Sequence, residues 1–285
     1  MDTAYQSVLS AADYIEAHLR DDLALEEVAA RAALYSPFHF IRLFRLLAGE
    51  TPGGYLRKRR LSEAARDLAE SERSVLQIAL AYRFRSAEAF ARSFKHQFGL
   101  TPSRHRREKG FLHLVDRLHL EQIGAPGQPA PEPAFTQHGP LHFAGLQRRT
   151  GSGDLAALWG ELGALLPTIS RRAGPPLLCG VWEYPRRFQA SRDPDYTAAA
   201  RVEGPTPQPD GLRSFSLPAN TYAVFTHTGP LRLIRHTYVA IYAEWLPNSD
   251  WVQSDPYDLE IYTERFRGPA DETSQLDIAV PLRPR

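Results

Sequence analysis

The sequence predicts two domains. The first is all-α and carries a helix-turn-helix unit twice. The second is α+β, with a duplicated strand-helix-strand-strand unit. Three observations predict this. Residues 28–56 and 78–106 repeat at an offset of 50, a proline- and glycine-rich stretch fills 124–133, and alternating strand-like runs begin only beyond it. A length of 285 residues suits two domains of about 100–200 residues each. The expected division is 1–110, a connecting segment and linker over 111–130, and 131–285.

The first half reads as helical throughout. Val8, Ala12, Ile15 and Leu19 recur at helical spacing. Its prolines are Pro37, Pro52 and Pro102, and each follows Ser or Thr, so each reads as the first helical residue behind an N-cap. In both repeats a short helix (25–33 or 75–82) leads across a tight connection to a second helix capped by Ser36 or Ser86. Gly49 or Gly99 ends that helix, and Thr-Pro starts the next. A helix around 53–70 bridges the copies.

Each capped helix has two faces, because successive residues turn by about 100°. In the first copy Phe40, Leu43, Phe44 and Leu47 share one side, with Phe38, Ile41, Arg42 and Arg45 opposite. In the second, Phe90, Phe94 and Phe98 form the inner side, with Glu88, Ala91, Arg92 and Lys95 outward. A plain helical bundle with solvated arginines has a similar pattern. An outward arginine at the same place in both copies, and the basic run RHRR at 104–107, favour a nucleic-acid partner. Two such helices could enter successive major grooves about 34 Å apart.

Beyond the linker, strands are expected at Leu141–Arg149, Leu178–Tyr184, Thr197–Val202, Tyr222–His227, Leu259–Arg265 and Leu276–Val280, with helices at Leu155–Ser170 and Leu231–Leu246. The order strand, helix, strand, strand occurs twice, which fits an α+β domain built by duplication.

Composition narrows the function classes. Residues 1–110 carry a net charge of +4 and the remainder −3, so the two parts suit different partners. No run approaches the ~20 apolar residues of a membrane helix, and the acidic start is no secretory leader, so a soluble cytoplasmic protein is expected. With Cys179 as its one cysteine, the chain can form neither an intrachain disulfide nor a cysteine-based zinc site. GxSxG, HExxH and P-loop motifs are absent. Gly139-Pro140 prevents His138 and His142 from sharing a helical metal face, and Cys179 reads as a packed small residue. No catalytic residue, metal or cofactor is expected, and the chain is not expected to be an enzyme.

The segments SPFHFIRLFR (36–45) with GETP (49–52), and YRFRSAEAFARSFK (82–95) with GLTP (99–102), resemble the AraC/XylS-type DNA-binding domain over roughly residues 5–108. The resemblance implies transcription regulation through two helix-turn-helix units. By motif position Phe38, Ile41, Arg42, Glu88, Ala91 and Arg92 would face bases. Arg42 and Arg92 suit guanine O6 and N7, and Phe38 suits thymine methyl groups or packing at its own helix entry. Arg45, Arg57 and Lys95 would hold phosphates. Many members have Gly in the turn before the second recognition helix, where this chain has Arg83. The few hydrogen-bonding residues at base-facing positions leave a degenerate DNA-binding half as an alternative.

The segments LHFAG (141–145), GVWEY (180–184), YAVFTHTGP (222–230), WLPNS (245–249) and DLEIY (258–262), with Trp159, resemble the GyrI-like effector-binding domain over about 131–283. This implies a cleft lined by aromatics and holding a carboxylate, with Glu260 at the acidic position and Trp182, Tyr184, Trp245 and Tyr262 around it. Such a site would favour a small lipophilic cation or amphiphile. The alternatives are a core filled by these aromatics, a small-molecule hydrolase, or a protein-interaction module. The expected partners are double-stranded DNA, RNA polymerase and the small ligand.

Overall fold

The computed structural model describes residues 3–31, 37–119, 129–150, 154–173, 177–184 and 193–285. Within these no helix is long and apolar enough to cross a membrane. The chain divides into two compact units, and each is described in turn.

The first unit contains α1 (Thr3–Ala17), α2 (Leu25–Arg31), α3 (Pro37–Ala48), α4 (Pro52–Glu70), α5 (Val75–Ala81), α6 (Ala87–Phe98) and α7 (Pro102–Glu108). The predicted punctuation is present wherever it is described. Thr51, Ser86 and Thr101 cap α4, α6 and α7, each side-chain oxygen accepting from the backbone N–H three residues on, at 3.2 Å for Gly54, 3.2 Å for Ala89 and 3.3 Å for Arg104. Gly49 and Gly99 end α3 and α6 with φ of +80° and +77°. The expected cap Ser36 lies outside the described residues.

Helix α4 ties this unit together. Leu61, Ala64, Ala65 and Leu68 pack against Ile78, Ala79 and Tyr82 of the α5 region and against Phe90 and Phe94 of α6. Toward its other end, buried Arg59 donates to both carboxylate oxygens of Glu16 on α1, at 2.8 and 3.0 Å, and to Glu63 at 2.7 Å. Arg59 also donates to the carbonyl of Val115, and Leu118 N–H donates to the Tyr55 hydroxyl at 3.0 Å. Residues 111–119 carry no regular secondary structure, yet they are strapped along α4 by these bonds.

Among its described residues the second unit has nine strands: β1 (Ala134–His138), β2 (Leu141–Arg149), β3 (Leu178–Glu183), β4 (Asp195–Val202), β5 (Arg213–Leu217), β6 (Asn220–Thr228), β7 (Trp251–Gln253), β8 (Tyr257–Tyr262) and β9 (Gln275–Pro284). All their pairings are antiparallel. The order is β1-β6-β9-β8-β3-β4-β2-β5, with β7 beside β9. Helix α8 (Leu155–Leu165) follows β2 and helix α9 (Ile234–Val239) follows β6. Strands β1, β5 and β7 were not anticipated. β1 has exposed residues at most positions and β7 spans three residues, so neither carries a buried alternating pattern. The helix expected over 231–246 is a 3₁₀ turn, then α9, then a π-helical turn at Ala240–Trp245, where Leu246 N–H bonds Ile241 O at 2.8 Å.

Connectivity forces this sheet to curl. β1 and β2 stand at the first and seventh places in the order, about 29 Å apart if the sheet were flat. Gly139-Pro140 alone joins them, and three Cα steps reach at most about 11 Å. Pro218-Ala219 imposes the same limit on β5 and β6. The sheet therefore bends until its ends share one inner core, in which Leu141, Phe143, Cys179, Val181, Tyr222 and Leu259 meet. The opposite face carries Ala144, Tyr196, Ala198 and Ala200 against Leu158 and Leu162 of α8.

Candidate functional site

The second helix-turn-helix unit is α5, a turn, and α6. Arg83 takes the left-handed C′ position of α5 at φ +65°, with Phe84 N–H bonded to Ala79 O at 2.9 Å and Arg83 N–H to Leu80 O at 3.0 Å. This reversal lets Phe84 stack edge-on against Phe90 at 5.1 Å and sets the pitch of α6. Phe90 and Phe94 are fully buried beneath α6, while Glu88, Arg92 and Lys95 are exposed and Ala91 is half-buried. A hydrogen bond with Ser86, then one with its own backbone N–H, and last the Arg92 charge hold the Glu88 carboxyl below its usual range. Arg57 on α4 is likewise exposed.

The first unit differs. Ile41 and Arg42 were expected outward, but they are 3% and 2% exposed, and Arg45 is half-buried. The expectation of two equally open faces is corrected here. Composition accounts for Ile41: α3 holds Phe38, Ile41 and Leu46 in addition to the inward Phe40, Leu43, Phe44 and Leu47, so apolar residues lie around much of the helix, whereas the burial of Arg42 has no such signal in the sequence. In α6 the large apolar residues are the three phenylalanines of a single face. Phe38 lies within α3, but its side chain is outside the described residues.

In the second unit the two central strands β3 and β8 place Gly180 opposite Glu260. Glu260 is buried, and alternation along β8 sends it to the helix-bearing face with Asp258 and Tyr262, away from Leu259 in the inner core. Its Oε1 accepts from Trp182 Nε1 at 2.8 Å and from the Tyr238 hydroxyl at 2.9 Å. Its Oε2 accepts from the hydroxyls of Tyr196 at 2.9 Å and Tyr262 at 3.0 Å. Four neutral donors thus fill the four acceptor positions of the carboxylate. Burial, and then the Glu260 charge, push the Tyr196 and Tyr262 phenols well above their usual value, so both remain donors. Among the described residues no cation pairs with Glu260.

Rings close around the carboxylate. Trp182 meets Tyr196 at 4.8 Å, Trp159 of α8 meets Tyr262 at 4.9 Å, and Trp159 Nε1 donates to the Tyr196 hydroxyl at 3.1 Å. Asp258, fully buried one step away on the same face, accepts at 3.3 Å from Tyr238 and from Tyr242. Gly180 makes this packing possible, because a Cβ there would sit 2.1 Å from the Tyr196 hydroxyl.

Comparison with known proteins matches residues 131–283 to the GyrI-like small molecule binding domain and residues 29–108 to a helix-turn-helix domain. The transcriptional regulator Rob of Salmonella typhimurium is 28% identical over 282 residues, covering 95% of this chain and 93% of that protein. The right origin-binding protein of Escherichia coli K12 is 28% identical over 288 residues, with the same 95% and 93% coverage. The transcriptional regulator BrlR of Pseudomonas aeruginosa is 31% identical over 151 residues, 53% of each chain. The chain belongs to the regulators that join an AraC-type helix-turn-helix domain to a GyrI-like domain. The helical half is accordingly a DNA-binding domain.

Within this GyrI-like domain the structure gathers Trp182, Glu260 and Tyr262 as expected from the sequence, but not every aromatic. Tyr184 is buried just past the end of β3, and the four donors named above do not include it. Trp245, at the end of the π-helical turn, packs on Phe225 at 4.9 Å and faces Phe135 at 6.3 Å rather than joining the carboxylate. Sequence reasoning missed Tyr196, Tyr238 and Asp258 as parts of the cluster. Asp258, Glu260 and Tyr262 follow one another at a spacing of two, and Tyr238 and Tyr242 at a spacing of four. Both periods point to one strand face and one helix face.

Proposed function

We propose that this AraC-type regulator with a GyrI-like domain reads DNA most directly through α6 and responds to a small lipophilic cation at Glu260. One observation carries the ligand reading: a buried carboxylate is wrapped by four neutral donors, with no cationic partner among the described residues. An isolated buried charge is costly, and a cation seated against the surrounding rings would offset it. Trp182 and Tyr262 are half-buried where Tyr196 and Tyr238 are buried, so entry is best served by displacing the first two. A ligand that binds the displaced arrangement better would shift the population of a DNA-binding state.

On the DNA side, Arg92 is the base-reading candidate, with Glu88 and Ala91 beside it. Lys95 and Arg57 are the phosphate candidates, joined by the half-buried Arg45. Ile41 and Arg42, both buried, would contribute only in a conformation that opens α3, and Phe38 stays a candidate for thymine methyl contact. The division into 1–110, a connector over 111–130 and 131–285 follows the same reading. A duplicated origin for the second domain is supported by the sheet order, in which β3-β4-β2 and β8-β9-β6 run outward from one central pair.

The test is selection from random duplexes with the full chain, with and without tetraphenylphosphonium, repeated with Glu260→Gln. The expected result is an enriched motif whose affinity responds to the cation in the wild type alone. Failure to enrich any motif would sink the DNA reading. An equal response in the Glu260→Gln variant would sink the ligand reading.

A further inference from the structure

The inner face of the curled sheet holds a cavity of about 70 Å³, separate from Glu260 and on the opposite side of the same two strands. Its walls are mostly apolar, with Phe143, Leu177, Cys179, Val224 and Ile261 among them. Burial pushes the Cys179 thiol up to about 12, so this wall is neutral and unreactive. Beside His138 and Tyr222, two polar groups of the lining have hydrogen-bonding capacity left unused. Arg201 is half-buried opposite Phe143 on β2, and no ion pair or side-chain hydrogen bond engages its guanidinium among the described residues. Across the cavity the Thr136 hydroxyl, facing Tyr222 on β6, is buried without a hydrogen-bond partner. No Asp or Glu lines the space, and His138 stands exposed on the β1 side.

We infer that this cavity is a second ligand site and takes a compact monocarboxylate, its short apolar tail inside and its carboxylate on Arg201. The charge selects the headgroup, since a half-buried guanidinium with a free fork is matched by a planar carboxylate. The Thr136 hydroxyl supplies a second hydrogen bond that it otherwise lacks. The size selects the tail. At about 70 Å³ the space suits a short branched tail and not a long acyl chain. Glu260 would repel this ligand, and Arg201 would repel a lipophilic cation. The two faces of β3 and β8 therefore serve ligands of opposite charge.

The test is titration of the full chain with isobutyrate, and with isobutyramide as its uncharged counterpart, followed by NMR of the methyl groups that line the cavity. Saturable isobutyrate binding is expected, at least about tenfold tighter than the amide. Arg201→Gln should remove that preference and Leu177→Trp should close the cavity. Circular dichroism would establish that each variant is folded, and having two independent variants protects the test if one of them is not. Absence of saturable binding, equal affinity for acid and amide, or undiminished binding in Arg201→Gln would each overturn the inference.

Discussion

Gly180 and Glu260 face each other across the central strand pair, and a Cβ on Gly180 would lie 2.9 Å from Glu260 Oε2 as well as inside contact distance of Tyr196. Gly180→Ala should therefore push Tyr196 off the carboxylate. The expected cost is about 1–3 kcal/mol in unfolding free energy, as for other overpacked cores. Chemical denaturation measures it, and near-ultraviolet circular dichroism should show the altered Trp182 and Tyr196 environment. A variant as stable as the wild type, with an unchanged spectrum, would mean that the cradle tolerates the methyl group.

Arg92→Ala should weaken binding to a selected duplex by about 1–3 kcal/mol and relax preference at one position, because its guanidinium is exposed on the open face of α6. Arg42→Ala should do less to binding and more to stability, since Arg42 is buried. Lys95→Ala should weaken all sequences alike and flatten the salt dependence. Gel-shift titrations at several salt concentrations separate these outcomes, and an Arg42 variant with the larger loss of specificity would reverse the assignment.

Arg83→Gly should stabilise the helical unit by roughly 0.5–1 kcal/mol. Left-handed backbone costs a side-chain-bearing residue about 1–2 kcal/mol, and glycine's extra freedom in the unfolded chain returns part of that. The ion pair of Arg83 with Asp22, 3.6 Å apart with Asp22 almost wholly exposed, offers little to lose. A lower thermal midpoint for the glycine variant would contradict this account of the turn.

His227 supplies a pH dependence. Burial is the largest effect on it and lowers its pKa below the usual 6.5, while its Nδ1 lies 2.8 Å from the Thr237 hydroxyl. A depressed histidine pKa means that the unfolded chain binds the proton more readily. This contribution to stability is therefore complete above about pH 6.5 and is lost as pH falls from there toward the folded-state value. Denaturation at a series of pH values from 7.5 downward should show stability falling below that point, and His227→Gln should flatten the fall. An identical slope in the variant would assign the effect to other groups.

Local punctuation was legible in the sequence, and long-range placement was not. Ser86, Thr51, Thr101, Gly49 and Gly99 act over three or four residues, so their roles could be read directly. The alternation around Glu260 placed it correctly away from Leu259, because strand period alone decides a face. The burial of Ile41 and Arg42 depends on what packs around α3, and helical period cannot report that. Tyr196 and Tyr238 reach Glu260 from 64 and 22 residues away in sequence, through the sheet order and the helix after β6, neither of which has a local signature. Trp245 failed for a related reason: the π-helical turn re-aims the residues after Val239 relative to a regular helix.

Strand β9 has a consequence for synthesis on the ribosome. It is the last strand to emerge, yet it lies between β6 and β8, inside the hydrogen-bonded order. Until residues 275–284 leave the exit tunnel, β1-β6 and β8-β3-β4-β2-β5 are two unjoined ribbons held by loops. The nascent chain thus carries a finished helical half long before its GyrI-like half can close. A C-terminal deletion would remove the keystone rather than trim an edge.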